Sequence, residues 1–263
     1  MGCSSKAGYV AKYSRAMVLE ITKMPYKIYN FPSLASTQDK AKEFVKKGLS
    51  NIVISADRQA KGHGRFKRKW HSAKGGLYAS IILNPENTEN IQYLTFAAAI
   101  AVVKSIKKIA NLDAAIKWPN DVHYNKRKLC GILTEGIFGA KNHVIVGIGL
   151  NVNQDKFPKS IKNNSTSLKI IKHEDFNIKR ILNGIIREFF ILYNKYYNEN
   201  KLKKITRLWE KYCDTIGKNV AVITREKKLH GRVVGVDENC SLLLKLDGGR
   251  TKKVIEGDIH VRY

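Results

Sequence analysis

The sequence predicts an α+β protein: a mainly antiparallel, mixed sheet followed by a small C-terminal β-barrel. Three observations carry this expectation. Four strand candidates between residues 115 and 152 adjoin, most joined by short Asn-, Lys- or Gly-containing turns, so they pair as neighbours and not as repeated βαβ units. Apolar residues recur at helical spacing over 91–110, 177–198 and 202–212. Beyond Gly217 the texture changes to short strands with a turn every few residues.

Taken in order, residues 27–31 alternate as a short strand. Ser36-Thr37 then opens a helix with Ala41, Phe44 and Val45 on one face and Gly48 as its stop. Residues 51–56 are a β-branched run typical of a buried strand, whereas 57–76 turn to Gly, Lys and Arg, a loop. Residues 77–83 form a strand, and 91–110 the first long helix, Ala-rich and amphipathic. Strands follow over 115–118, 122–124, 129–137 and 143–152; in the helix over 177–198, Ile181, Ile185, Phe189 and Leu192 make one apolar stripe. The barrel strands are 219–224, 230–236, 241–246 and 251–255. The expected organisation is a flexible leader over 1–25, a main domain over 26–214 and the barrel over 215–263.

Composition narrows the function classes. In 263 residues, 43% hydrophobic content supplies a substantial core, which excludes intrinsic disorder. No apolar run approaches the ~18–20 residues that span a bilayer, so no membrane association is expected. The net charge of +26 is spread over the whole chain without interleaved aromatics or a reading motif. A basic nucleic-acid-binding module is therefore the alternative and not the main reading. Cys3, Cys130, Cys213 and Cys240 lie far apart with no CxxC pair, which fits a reducing cytoplasm and excludes a disulfide scaffold. Met1-Gly2-Cys3 imitates a lipidation start, but Lys6 stands where Ser or Thr is required.

Three segments carry chemistry. In 59–70, Gly62 and Gly64 allow close backbone approach among five cationic side chains, a setting for a phosphate or carboxylate; a solvated basic loop fits equally. In Lys117-Trp118-Pro119-Asn120-Asp121, a lysine at the end of an apolar strand is expensive to bury without an anion, unless it faces water on an edge. Gly131, Gly147 and Gly149 interrupt two adjacent strands, which weakens a sheet unless something lies against the backbone. A flat ligand stacked on the sheet is expected there, a bulge or tight crossing being the alternative.

Together these segments resemble the biotin protein ligases from about residue 26 to the end. The family's Gly-Arg-Gly-Arg loop stands here as Gly62-His63-Gly64-Arg65, followed by Arg68 and Trp70. Its lysine motif is unchanged at 117–121, and Lys128-Leu129-Cys130-Gly131-Ile132-Leu133 and Gly147-Ile148-Gly149-Leu150-Asn151 match in order and spacing. Two departures stand out: Ser36-Thr37-Gln38 replaces Ser-Thr-Asn, and His63 replaces the first loop arginine.

The resemblance implies a class II synthetase-like, lipoate-ligase-like catalytic domain over 26–214 and an SH3-like barrel over 215–263. It implies joining of biotin and ATP to biotinyl-AMP, with Mg²⁺, and transfer of biotin to a lysine of the biotin carboxyl carrier protein of acetyl-CoA or a related carboxylase. A lipoate–protein ligase is the sister alternative. Lys117 and Arg65 are the expected catalytic residues. Around biotin the resemblance places Ser36, Thr37, Gln38, Gln59, His63, Gly64, Arg65, Lys117, Gly131, Gly147 and Gly149. Around ATP it places Arg65, Arg68, Trp70, Asn120, Lys128 and Asn151; no protein ligand for the metal is named. Residues 57–76 are expected to act as a lid over the adenylate, and Cys130 as a packing residue. A leader of about 25 residues is too short for the winged helix of the family's repressors, so no specific DNA binding is expected. A homodimer paired through the catalytic sheet is compatible with the family, and the location expected is cytoplasmic.

Overall fold

The computed structural model describes residues 17–19, 26–224 and 227–261. Strands β1 (Met17–Leu19), β2 (Lys27–Phe31), β3 (Ile52–Ala56), β4 (Leu77–Leu83), β5 (Ala115–Lys117), β6 (Asp121–Tyr124), β7 (Arg127–Ile137) and β8 (His143–Leu150) form one eight-stranded sheet. Its order is β1-β2-β3-β4-β8-β7-β6-β5. Only β2 and β3 run parallel; the other neighbours are antiparallel. Between β2 and β3 lies helix α1 (Thr37–Lys46), the crossover that a parallel pair requires. Met17–Leu19, inside the expected leader, pairs with β2; the remainder of 1–25 lies outside the described residues.

Period-2 alternation divides the strands between two faces. Leu77, Ala79, Ile81 and Leu83 of β4 and Val144, Val146, Ile148 and Leu150 of β8 point into one continuous core. Helices α2 (Gln92–Ala110), α4 (Ile178–Leu192) and α5 (Leu202–Tyr212) cover that face. The Ala-rich surface of α2 lets its neighbours approach closely, and Phe96 stacks on Trp209 with centroids 4.2 Å apart. On the opposite face, α1 buries Ala41, Phe44 and Val45 against Ile52, Ile54, Ile82 and Ile145. Among the described residues no helix is long and apolar enough to cross a membrane.

Helix α4 stops at Leu192 and continues as a π-turn over Tyr193–Tyr197, where the single helix over 177–198 was expected. The wider turn is closed by Asn198 N–H donating to the Tyr193 carbonyl at 2.9 Å. It keeps Phe189, Tyr193 and Tyr197 stacked in a row. The short helix α3 (Leu168–Lys172), capped by the Ser167 hydroxyl, has no counterpart in the sequence reading.

The C-terminal unit is a five-stranded antiparallel sheet, order β12-β11-β10-β9-β13, made of β9 (Asn219–Ile223), β10 (Lys228–Val236), β11 (Leu242–Lys245), β12 (Thr251–Val254) and β13 (Asp258–Val261). Sequence reading missed β13, a four-residue strand following the Gly257 break. The unit is bonded to the main sheet: Trp118 Nε1 donates to the Cys240 carbonyl at 2.9 Å and Tyr93 OH to the Glu238 carbonyl at 2.7 Å.

Candidate active site

A cavity of about 230 Å³ opens on the α1 side of the sheet, where β4, β8 and β7 meet the loop 57–76. Its walls differ in chemistry from end to end. At one end Ser36 caps α1, accepting from the backbone N–H of Gln38 at 3.1 Å and of Asp39 at 3.3 Å. That cap fixes the next two side chains, so Thr37 and Gln38 are buried against β4 and β8. The Ser80 hydroxyl lies 2.9 Å from Thr37 Oγ1 and 3.0 Å from Gln38 Oε1. Gln59 ties the loop to this end: its Oε1 accepts from Thr37 N–H at 2.7 Å and its Nε2 donates to Ser72 Oγ at 2.9 Å.

The other end is cationic. Residues 62–70 form a hairpin, with Trp70 N–H donating to the Gly62 carbonyl at 2.9 Å and Gly64 N–H to the Arg68 carbonyl at 2.7 Å. Its tip is a short 3₁₀ turn, Arg65–Lys67, in which Phe66 and Lys67 adopt left-handed φ of 55° and 60°. Such a conformation is strained for a side chain as large as Phe and persists because the hairpin bonds over-determine it. Arg65 and Arg68 stand over the Phe66 ring at 4.8 and 5.9 Å. Arg65 also donates to Asn120 Oδ1 at 3.3 Å, and Asn120 Nδ2 donates to the Ile132 carbonyl at 2.8 Å, so the cationic tip is fastened to β7. Lys128 Nζ lies 2.6 Å from Asp121 Oδ1 and 5.4 Å from the Trp70 ring centre.

One trough thus joins hydroxyl and amide groups to two guanidinium groups and the ammonium groups of Lys69 and Lys128. It suits a ligand that is neutral and polar at one end and acidic at the other, beside a second anion. Residues 31–153 match the biotin/lipoate A/B protein ligase family, and residues 215–262 match the biotin protein ligase C-terminal domain. The chain is 36% identical over 238 residues to the bifunctional ligase/repressor BirA of Bacillus subtilis, covering 87% of this chain and 72% of that protein. It is 29% identical over 222 residues to the biotin–[acetyl-CoA-carboxylase] ligase of Mycobacterium tuberculosis, covering 81% and 80%. The biotin protein ligase of Aquifex aeolicus in complex with biotin and ATP superposes with a TM-score of 0.80 at 31% identity, over 91% of this chain and 99% of that one. The chain belongs to the biotin protein ligases.

In this ligase every residue expected around the two substrates lines the cavity except Lys117. Lys117 ends β5 in register with Asp121, half-buried and outside the lining. Register keeps it on the cavity side of the sheet: Lys117 pairs with Asp121, Asp121 with Gly131 and Gly131 with Gly149, one row on the face where Trp70 lies. The β6–β7 hairpin, with its bulge between Val122 and His123, turns Lys128 to the same face, so Lys128 lines the trough, as does Lys69. The sheet glycines admit groups of the ligase itself. A Cβ at Gly149 would sit 2.5 Å from Trp70 Nε1, one at Gly131 3.0 Å from Trp70 Cζ3, and one at Gly147 2.6 Å from Gln38 Oε1. The groups lying on the bare backbone are thus the ligase's own indole and amide.

Asn151 lines the cavity but spends its amide on the chain: Nδ2 donates to the Thr166 carbonyl at 2.9 Å, pinning the segment before α3 to the sheet. His63 pairs with Asp39 of α1 at 2.8 Å, tethering the hairpin where the family's arginine would stand. Burial pushes the Cys130 thiol well above its usual range, and Asp121 adds to it while Lys128 opposes; this is an inert packing sulfur. Burial first, and the charge of Lys69 second, lower the His71 imidazole below its usual value. Sequence reading missed His71, Asp121, Phe157 and Ile161 as lining residues. Nor does it single out Glu135, which accepts from Gln38 Nε2 at 2.7 Å. No local pattern signals that contact, because 97 residues separate the partners.

Proposed function

We propose that this ligase condenses biotin with ATP to biotinyl-AMP and pyrophosphate in the trough, then passes the biotinyl group to a lysine of a biotin carboxyl carrier protein. One observation carries the reading: buried hydroxyl and amide groups face one end of a cavity whose other end holds Arg65, Arg68 and Lys128. Biotin has the same division, a neutral ureido ring at one end and a carboxylate at the other.

In the first step a biotin carboxylate oxygen attacks the α-phosphorus, and the bond from that phosphorus to the pyrophosphate oxygen breaks. Both partners are anionic, so cationic donors must offset their repulsion and the charge left on pyrophosphate. Lys117 keeps its expected role and Lys128 joins it: both ammonium groups lie on the cavity face, Lys128 beside Asp121, and both turn to the carboxylate and α-phosphate. Arg65 and Arg68 clamp the phosphates from the hairpin. In the second step the carrier's neutral lysine amine attacks the acyl carbon, and AMP leaves with the electron pair of the broken C–O bond.

The nucleotide's phosphates would carry Mg²⁺, which when bound neutralises charge on them. Asp121 is the one carboxylate lining the trough among the described residues, in keeping with an ion held mainly by substrate oxygens. The described residues contain no cluster of three or more ligating side chains. The hairpin at 62–70 is the lid that shields the mixed anhydride from water between the steps. For the C-terminal sheet, closure into an SH3-like barrel through β12 and β13 is the reading that accords with its matched domain, and a cytoplasmic enzyme accords with the free thiols of Cys130, Cys213 and Cys240 among the described residues.

A lipoate ligase is the competing substrate reading. The dithiolane of lipoate has no N–H, so it would leave the hydroxyl and amide end unpaired, and such a site rejects it strongly. Incubating the chain with ATP, a carrier domain and either vitamin tests this by mass spectrometry. One biotinyl group on one carrier lysine, dependent on ATP, is the expected product. Lipoyl transfer in its place would overturn the assignment.

A further inference from the structure

We propose that Glu135 is a positioning residue that fixes which end of the Gln38 amide faces the cavity, and so selects a ligand head group that donates N–H there. The inference rests on the reading of the trough as the biotin site, and it answers what the replacement of the family's Asn by Gln38 does.

The two ends of a carboxamide are nearly equal in size but opposite in polarity, so a glutamine displays an acceptor or a donor depending on which way it is turned. Gln38 is only 4% exposed, so water cannot correct a wrong choice. Glu135, on the far strand β7, settles the choice. Its Oε2 lies 2.7 Å from Gln38 Nε2, and a carboxylate only accepts, so the NH₂ must face Glu135. Lys42 of α1 holds the other carboxylate oxygen at 2.9 Å and keeps it aligned. The amide oxygen then faces Ser80 at 3.0 Å and the strand β8 at Gly147, where no Cβ stands in its way.

Ser80 has a single proton and two oxygen neighbours, Gln38 Oε1 and Thr37 Oγ1. Whichever it serves, the other oxygen keeps its acceptor capacity for a ligand. The buried end of the trough is therefore acceptor-rich, which fits the two N–H groups of a cyclic urea and repels a ring that offers lone pairs at those positions. Without the carboxylate, Gln38 is free to turn its NH₂ inward, and that preference is lost.

The test is biotin-dependent exchange of pyrophosphate into ATP by the whole chain, for wild type, Glu135→Gln and Lys42→Met. The substrates are biotin and its analogues in which either ureido N–H is replaced by oxygen. Glu135→Gln, isosteric and on a one-third exposed side chain, is expected to raise the KM for biotin about 10-fold while leaving kcat within about 3-fold and the KM for ATP unchanged. Its preference for biotin over the better-used analogue is expected to fall about 10-fold or more. Lys42→Met keeps the accepting carboxylate and should hold the preference within about 2-fold of wild type. The preference is a ratio taken on one preparation, so it does not depend on the fraction folded. A preference unchanged in Glu135→Gln overturns the proposal whatever happens to KM, and so does an equal loss in Lys42→Met. Wild-type protein without biotin-dependent exchange would instead contradict the assigned function.

Discussion

The two faces of the large sheet are built from alternate residues of the same strands, yet they obey opposite rules. On β8, Val144, Val146, Ile148 and Leu150 fill the helix-covered core, while between them Ile145 gives way to Gly147 and Gly149. One face is packed by side chains from the strands themselves. The other is stripped to backbone so that Gln38 and Trp70, carried by α1 and the hairpin, can lie directly on it. Stability and chemistry are thereby assigned to different sides of one β-strand. Substitutions on the two faces should show different symptoms.

The largest effect should come from the trough. Lys128→Ala is expected to lower the rate of biotinyl-AMP formation by about 10²–10³-fold, the usual consequence of losing one preorganised donor to a developing charge. Thermal unfolding should barely move, since the Lys128 side chain is 37% exposed and its pairing with Asp121 is screened by water. Lys117→Ala, on the same cavity face as Lys128, is expected to slow adenylation by about 10²–10³-fold as well. Adenylation left at the wild-type rate in Lys117→Ala would show that the row through Asp121, Gly131 and Gly149 does not bring that ammonium to the phosphates. A matching effect in size but of the other kind is expected from Ile81, 1% exposed on the helix-covered face. Ile81→Ala should cost about 2–5 kcal/mol in denaturant unfolding while kcat/KM per folded molecule stays near wild type. Gly149→Ala sharpens the contrast, because its methyl would arrive 2.5 Å from the Trp70 indole. Displacing that ring costs about 1–3 kcal/mol, seen as a rise in the KM for biotin of about 5- to 100-fold with a small change in melting temperature.

Much of this was legible in the chain because local rules act alone there. Strands β2 and β4 fall on the residues expected, and α1 starts at the Ser36 cap its sequence announces. The glycines of β7 and β8 correctly signal a close approach, but a sequence cannot say whether a ligand or the chain's own Trp70 makes it. That Lys128 joins Lys117 on the cavity face depends on a hairpin register and a bulge, and no periodicity encodes those. The Glu135–Gln38–Ser80 chain joins α1, β4 and β7 through contacts 42 to 97 residues apart. It exists only once the sheet has assembled, so nothing in the sequence sets Glu135 apart from other charged residues of a strand.

The most direct test of the central claim is exchange of labelled pyrophosphate into ATP by the purified chain with no carrier present. If the trough forms an acyl-adenylate at its cationic end, exchange requires biotin, saturates with it and falls at least about 100-fold in Lys128→Ala. Exchange that proceeds equally without biotin, or that Lys128→Ala leaves untouched, would contradict the account.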